Sequence, residues 1–190
     1  MLDEQDIARC VEVLKTGGVI LYPTDTIWGI GCDATNPNAI TKVYSIKQRD
    51  VTKSMLILVS SVEMLLEYVE NPAPRALVLA EHSVRPTTII FDRAKNLPIN
   101  LLAADGSIGI RLVRSGFCSG LINQLGKPIV STSANFSGEP APSSFAAISP
   151  KLQLLADYVA RSGHHETGDG VPSSVVRFDE EDNLVVLRKG

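Results

Sequence analysis

Aromatic residues make up only 5% of this 190-residue chain, with a single tryptophan. The core must therefore be built mainly from Ile, Leu, Val and Ala. Aromatic platforms for stacking RNA bases are scarce as well. Cysteine is sparse: Cys10, Cys32 and Cys118 are scattered, odd in number and without CxxC spacing. That argues against a disulfide framework or a zinc site and for buried thiols. His82 stands alone and His164 adjoins His165, so no His/Cys/carboxylate cluster has the spacing of metal ligands and no metal is expected on protein side chains. No run approaches the roughly 18 apolar residues of a membrane span. The acidic start Met1-Leu2-Asp3-Glu4 is unlike a signal or transit peptide, so a cytoplasmic location away from membranes is the expectation.

What is present is ordinary globular composition. At 44% hydrophobic and 21% charged, the chain is not wholly disordered and its length fits one domain over residues 1–190. Net charge is −3, but residues 42–127 hold 11 basic and 7 acidic side chains, a balance of +4, against 7 and 14, or −7, elsewhere. A basic middle in an acidic chain suggests a local anion site, although a chance excess on solvated faces accounts for the count equally well.

Helix and strand patterns alternate. Asp3 is placed to cap a helix carrying Ile7, Val11 and Leu14, which Gly17-Gly18 ends. Residues 19–22 read as a buried strand stopped by Pro23. Asn36-Pro37 has the N-cap and first-turn chemistry of a helix bearing Ile40, Val43, Tyr44 and Lys47. Residues 55–59 form a strand, and Ser60 or Ser61 caps the helix through Tyr68. A helix after Pro74, strands over 87–91 and 107–113, a helix over 115–125 and a strand over 129–131 follow. The pattern predicts a last helical region over about 149–159, then strands 175–178 and 184–187 across the acidic turn 179–183. Interleaved elements with an antiparallel end hairpin predict an α/β fold on a mixed sheet.

Four segments carry polar chemistry. Tyr22-Pro23-Thr24-Asp25-Thr26-Ile27-Trp28-Gly29 places polar groups at a strand end, where α/β proteins hold ligands; a structural Asx-type turn with Trp28 in the core explains it as well. Lys47-Gln48-Arg49-Asp50-Val51-Thr52-Lys53 brings three cations within reach of one phosphate chain. A helix C-terminus alone accounts for Lys47 but not for Lys53. Residues 129–138 run from an apolar strand into three hydroxyls, Asn135, a fourth hydroxyl and a glycine, donors suited to ribose, a base edge or phosphate oxygens. Gly168-Asp169-Gly170-Val171-Pro172-Ser173-Ser174 leads a glycine-rich loop into a strand, and with Arg188 it could close a pocket. No GxSxG elbow, no P-loop, no Cys–His pair and no glycosidase-like carboxylate pair accompanies them. Hydroxyls and cations without a nucleophile suit a reaction whose nucleophile is a second substrate, such as nucleotidyl transfer.

In this order the segments resemble the YrdC-like (TsaC) family of threonylcarbamoyl-AMP synthases. The likeness rests on the YPT[DE] strand end at 22–25, KxR at 47–49, GxR at 109–111, SxSANxSG at 131–138 and PS[ST] at 172–174, and it covers residues 18–190. It implies a YrdC-like three-layer fold with a twisted mixed sheet flanked by helices. It also implies an L-threonylcarbamoyladenylate synthase, a nucleotidyltransferase. In such an enzyme, threonine and bicarbonate give a carbamate that attacks the α-phosphorus of ATP, releasing pyrophosphate. Mg²⁺ would accompany ATP, and a separate transferase complex would carry the product to adenosine in tRNA. Apart from the resemblance, the basic middle allows weak electrostatic RNA contact as a secondary property. Carried over by position, Thr26, Arg111, Ser131 and Ser173 would hold threonine, with Arg111 on its carboxylate. Lys47, Arg49, Lys53, Ser107, Ser133, Asn135 and Arg188 would face ATP, and Arg49, Lys53 and Arg111 would stabilise the transition state.

The chain departs from the pattern in places. Ser83-Val84-Arg85-Pro86-Thr87-Thr88 stands where many members have Pro-Gly-Pro before a threonine, and Arg85 has no assigned role. Asp50 replaces a common proline, Lys53 a frequent asparagine and Leu58 a frequent histidine of longer members. Nothing after Gly190 corresponds to the extra domain of those longer members, so the short single-domain form is expected. Two other readings stand beside the synthase. Carbamoyl-phosphate chemistry occurs in YrdC-like domains of hydrogenase-maturation proteins, but those sit in larger chains with zinc-finger-like cysteines. An RNA-binding module would need more positive charge or exposed aromatics.

Overall fold

Short apolar runs stopped by proline, glycine or polar clusters set most of the strands. The computed structural model describes residues 3–164, 171–179 and 181–190. Helix α1 (Glu4–Lys15) starts where the Asp3 carboxylate accepts from the backbone N–H of Gln5 and Asp6, and it buries Ile7, Val11 and Leu14. Strands β1 (Ile20–Tyr22) and β2 (Gly29–Gly31) are buried throughout. Helix α2 (Pro37–Lys47) begins at Asn36, whose side chain accepts from two backbone N–H groups, and stops at Gln48 in the left-handed region. Then come β3 (Leu56–Val59), α3 (Val62–Tyr68) capped by Ser61, α4 (Pro74–His82), β4 (Thr87–Phe91) and β5 (Ile108–Leu112). The chain continues through α5 (Gly116–Leu125), β6 (Ile129–Ser133), α6 (Pro150–Leu155), β7 (Tyr158–Val159), β8 (Ser174–Phe178) and β9 (Leu184–Arg188).

The nine strands form one sheet in the order β7-β1-β2-β6-β3-β5-β4-β8-β9. β1/β7, β3/β5 and β4/β8 run parallel and the other neighbours antiparallel, so the sheet is mixed, as expected. Helix α1 packs on α5, α3 and α4 lie against the middle strands, and α2 lies beside β2 and α6. The core is aliphatic, with Ile20, Leu21, Ile57, Leu65, Ile89, Ile110 and Leu121 all essentially inaccessible. All three cysteines are free and buried. Among the described residues no helix is long and apolar enough to cross a membrane.

Two elements differ from the sequence reading. The last helix stops at Leu155 rather than running to 159, and Tyr158–Val159 pairs with β1 instead. Tertiary bonds override the local helical pattern there. The Asp157 carboxylate accepts from the Val19 N–H and from the Lys42 ammonium, and the Asp157 N–H donates to the Val19 carbonyl. Strand β2 was not anticipated, because two of its three residues are glycine, a poor strand former. Packing requires Gly31: a Cβ there would lie 1.7 Å from the Val130 carbonyl oxygen.

Candidate functional site

Several strand ends open on a cavity of about 330 Å³. Strand β5 contributes Gly109 and Arg111, β4 contributes Thr88 and Ile90, and β6 contributes Ser131 and Ser133. The turn after β1 supplies Thr24, Thr26 and Trp28. Thr24 rather than Asp25 closes that turn: its hydroxyl accepts from the N–H of Thr26 and Ile27 and donates to the Ile27 carbonyl. Trp28 is buried, as a core residue would be, yet it also lines the cavity.

Arg111 is the centre of one wall. It is 4% exposed; one terminal nitrogen donates to Thr26 Oγ1 at 3.1 Å and the other pairs with Asp25 Oδ1 at 2.9 Å. Its Nε–H is buried without a partner among the described residues. A buried guanidinium N–H left unmet is costly, so the position favours a ligand oxygen. Nearby, the Ser173 and Thr88 hydroxyls bond each other at 2.9 Å, both buried. Among the described residues the cavity wall holds three arginines (Arg49, Arg111, Arg188) and no carboxylate, Asp25 meeting Arg111 from outside that wall. Such a wall suits an anion.

Arg49 is half-buried and held by main chain: Nε donates to the Lys53 carbonyl and Nη2 to the Ser54 carbonyl, each at 2.9 Å. Arg188 donates to the Ser173 carbonyl at 2.7 Å. Burial, with the Arg111 guanidinium nearby, lowers Arg188 from the ordinary arginine value.

The structure brings Thr26, Arg49, Arg111, Ser131, Ser133, Ser173 and Arg188 onto one cavity and leaves four expected residues off its wall. Lys47, expected near phosphate, is buried off the cavity wall. It is 1% exposed, and its ammonium donates to the carbonyls of Ser133 and Asn135. Burial and the Arg49 guanidinium push it down to about 7, with Glu139 opposing. Asn135 spends its amide on the carbonyls of Phe136 and Glu139, so it shapes the loop. Ser107 lies at the far end of β5 from Arg111, and its hydroxyl donates to Asp105 at 2.6 Å. Lys53 is exposed at the rim and meets the site through its carbonyl.

Of the departures from the family pattern, Leu58 is fully buried beside Arg111 across β3/β5, Asp50 caps the N–H and hydroxyl of Thr52, and Arg85 is exposed. Gly168, Asp169 and Gly170 lie outside the described residues, while Pro172 and Ser173 line the cavity. Sequence reasoning missed Asp25 as the partner of Arg111, although the residue lay inside a quoted motif. It assigned no role to Thr88 either, although that residue lay in the segment set against the family's Pro-Gly-Pro before a threonine. Among the described residues no three His, Cys, Asp or Glu side chains cluster as metal ligands.

The family model described as telomere recombination, covering Sua5, YciO and YrdC, matches residues 12–190. A threonylcarbamoyl-AMP synthase of Xanthomonas euvesicatoria pv. vesicatoria (strain 85-10) is 36% identical over 163 residues, 84% of this chain and 87% of the relative. P. abyssi Sua5 complexed with L-threonine superposes with a TM-score of 0.90 at 25% identity over 99% of this chain, which spans only 55% of that longer one. E. coli YciO gives a TM-score of 0.87 at 26% identity, covering 100% of this chain and 91% of its own.

Proposed function

This chain belongs to the Sua5/YciO/YrdC family, and from that premise we propose that it is a threonylcarbamoyl-AMP synthase. The carbamate formed from threonine's amine and bicarbonate attacks the α-phosphorus of ATP. A P–O bond forms there as the bond to the leaving pyrophosphate breaks. The observation that carries this reading is the buried Arg111, whose Nε–H meets no partner among the described residues, on a cavity wall that also holds Arg49 and Arg188. A threonine carboxylate supplies the missing acceptor, and Thr26, Ser131 and Ser173 offer hydroxyls around it. Arg49, Arg188 and Ser133 face the nucleotide, and Lys53 adds charge from the rim. Lys47 and Asn135 act indirectly by fixing the loop that carries Ser133. None of these groups becomes covalently bonded, so catalysis is placement and charge stabilisation.

Mg²⁺ fits this donor set as a companion of ATP. The cavity supplies hydroxyls and arginines, whereas phosphate oxygens and water satisfy a cation that sheds water reluctantly. When bound it would neutralise phosphate charge. The product would pass in the cytoplasm to a transferase complex acting on tRNA, with any direct RNA contact weak and salt-sensitive. The test mixes protein with ATP, Mg²⁺, bicarbonate and a panel of amino acids. Threonine-dependent pyrophosphate release is expected, and folded protein that releases none overturns the reading.

A further inference from the structure

Strand β9 forms one margin of the sheet, and all five of its residues are exposed. Leu184, Val185, Val186 and Leu187 make an aliphatic run there. The opposite margin, β7, has two residues, both half-buried. Sheet edges are normally blunted by short length, charge or proline. Strand β9 carries charge only at its last residue, Arg188, and has a register shift opposite Val175 and Val176. Leu184 also borders an apolar groove of about 440 Å³, walled by Val78 and Leu79 of α4 and by Phe178 of β8. The apolar surface thus continues from the sheet edge onto α4, whose Val78 is 59% exposed. Among the described residues nothing pairs with the outer side of β9.

We propose that β9 is a dimer interface at which two copies of this chain pair edge to edge, antiparallel, about a twofold axis near Val185 and Val186. Charge selects both the occupant and the direction. Glu181 precedes the strand and Lys189 follows it; Asp182 is already paired with Arg75, and Arg188 is turned to the Ser173 carbonyl. Antiparallel pairing of two copies sets the acidic end of one against the basic end of the other, whereas parallel pairing sets like against like. A twofold axis normal to the sheet keeps both α4 helices on one face, where the two grooves meet and Val78 gains apolar cover. Strand β9 ends in Arg188, which lines the cavity, so the interface adjoins the wall assigned to the nucleotide.

Sedimentation velocity across a concentration series tests this without recourse to activity. The wild type is expected to be dimeric at micromolar concentration. Val186→Lys places an ammonium in the pairing strand and is expected to weaken the dimer roughly tenfold or more, with an unchanged far-ultraviolet circular dichroism spectrum. Lys189→Glu is expected to weaken it as well, and adding Glu181→Lys to that variant is expected to restore association, because the swapped ends again match. A wild type that stays monomeric to about 100 µM overturns the proposal and gives the edge to a foreign strand. A dimer indifferent to both Val186→Lys and Lys189→Glu overturns it too.

Discussion

Thr26, Arg111 and Ser173 are each 4% exposed and bonded to other side chains, whereas Arg49 and Arg188 reach the same cavity from more open positions and bond to backbone carbonyls. The first wall is fixed before a ligand arrives. Its donors have few rotamers left and one unmet N–H, which suits a small substrate whose carboxylate and hydroxyl must be told apart from near neighbours. The second wall consists of long cations that stand in more solvent, Arg49 tied to two main-chain carbonyls and Arg188 to one, and it brings charge to a phosphate chain. Buried and prebonded groups provide geometric selectivity; half-exposed arginines provide charge where water competes. Mutations in the two walls should therefore differ in size and in the substrate they affect.

Arg111→Ala is expected to have the largest effect. It strips Asp25 and Thr26 of their partner and removes the buried cation, a truncation worth ~2–5 kcal/mol. In steady-state kinetics kcat/KM for threonine should fall roughly a hundredfold or more, with ATP binding changed much less. An equal loss toward both substrates would dissolve the distinction between the walls.

Arg49→Ala comes next. The lost charge-assisted bonds to phosphate are worth ~1.5–3 kcal/mol, so the KM for ATP should rise roughly ten- to hundredfold while that for threonine holds. Nucleotide titration by calorimetry checks the binding part alone. If threonine affinity fell instead, Arg49 would belong to the other wall.

A third change probes the frame away from both walls, where α1 is tied to residues 158–162. Asp6 is buried, and its carboxylate accepts from the hydroxyls of Tyr158 and Ser162 and from the N–H of Arg161 and Ser162. Burial alone would raise its pKa, but these four bonds hold it below the usual carboxylate value. A lowered folded pKa means that the stability it adds is present above the unfolded value of ~4 and is lost as pH falls through the folded one. Melting temperature should therefore drop below about pH 4 in the wild type and drop less steeply there in Asp6→Asn. At neutral pH the variant should be less stable by ~1–3 kcal/mol. Parallel acid curves for the two proteins would contradict the assignment.

Much of the frame was legible because local signals and tertiary packing agree. Asp3, Asn36 and Ser61 all cap the helices that their chemistry predicts, and the aliphatic runs of β1, β3, β4 and β6 are all strands of the sheet. Strand β2 was illegible because one of its glycines, Gly31, answers to a neighbour about a hundred residues away in sequence, the Val130 carbonyl. The site divides the same way. Thr26 and Ser131 were legible as polar groups at strand ends and Ser173 as a loop residue before a strand, whereas Arg111 came only from the family resemblance; the fold brings all four onto one cavity. Lys47 shows the opposite case: a cation beside Arg49 in sequence read as a phosphate ligand, but its direction is set by carbonyls of a loop more than eighty residues on. Spacing along the chain carries no record of which way such a side chain turns.

The smallest expected effect belongs to Lys53, and it separates two accounts of the phosphate wall. By sequence Lys53 and Arg49 were equivalent cations. In the fold the Lys53 side chain is exposed, and only its carbonyl touches the site, where it accepts from Arg49 Nε. An exposed ammonium screened by solvent contributes up to ~1 kcal/mol, so Lys53→Ala should raise the KM for ATP only about fivefold or less. The substitution leaves the carbonyl in place, so Arg49 keeps its orientation. The residual effect should shrink as salt is raised, because rim charge acts through a screened field. A loss as large as that of Arg49→Ala would mean that the rim closes over bound ATP and buries Lys53, and the phosphate wall would then be as fixed, in the complex, as the one around Arg111.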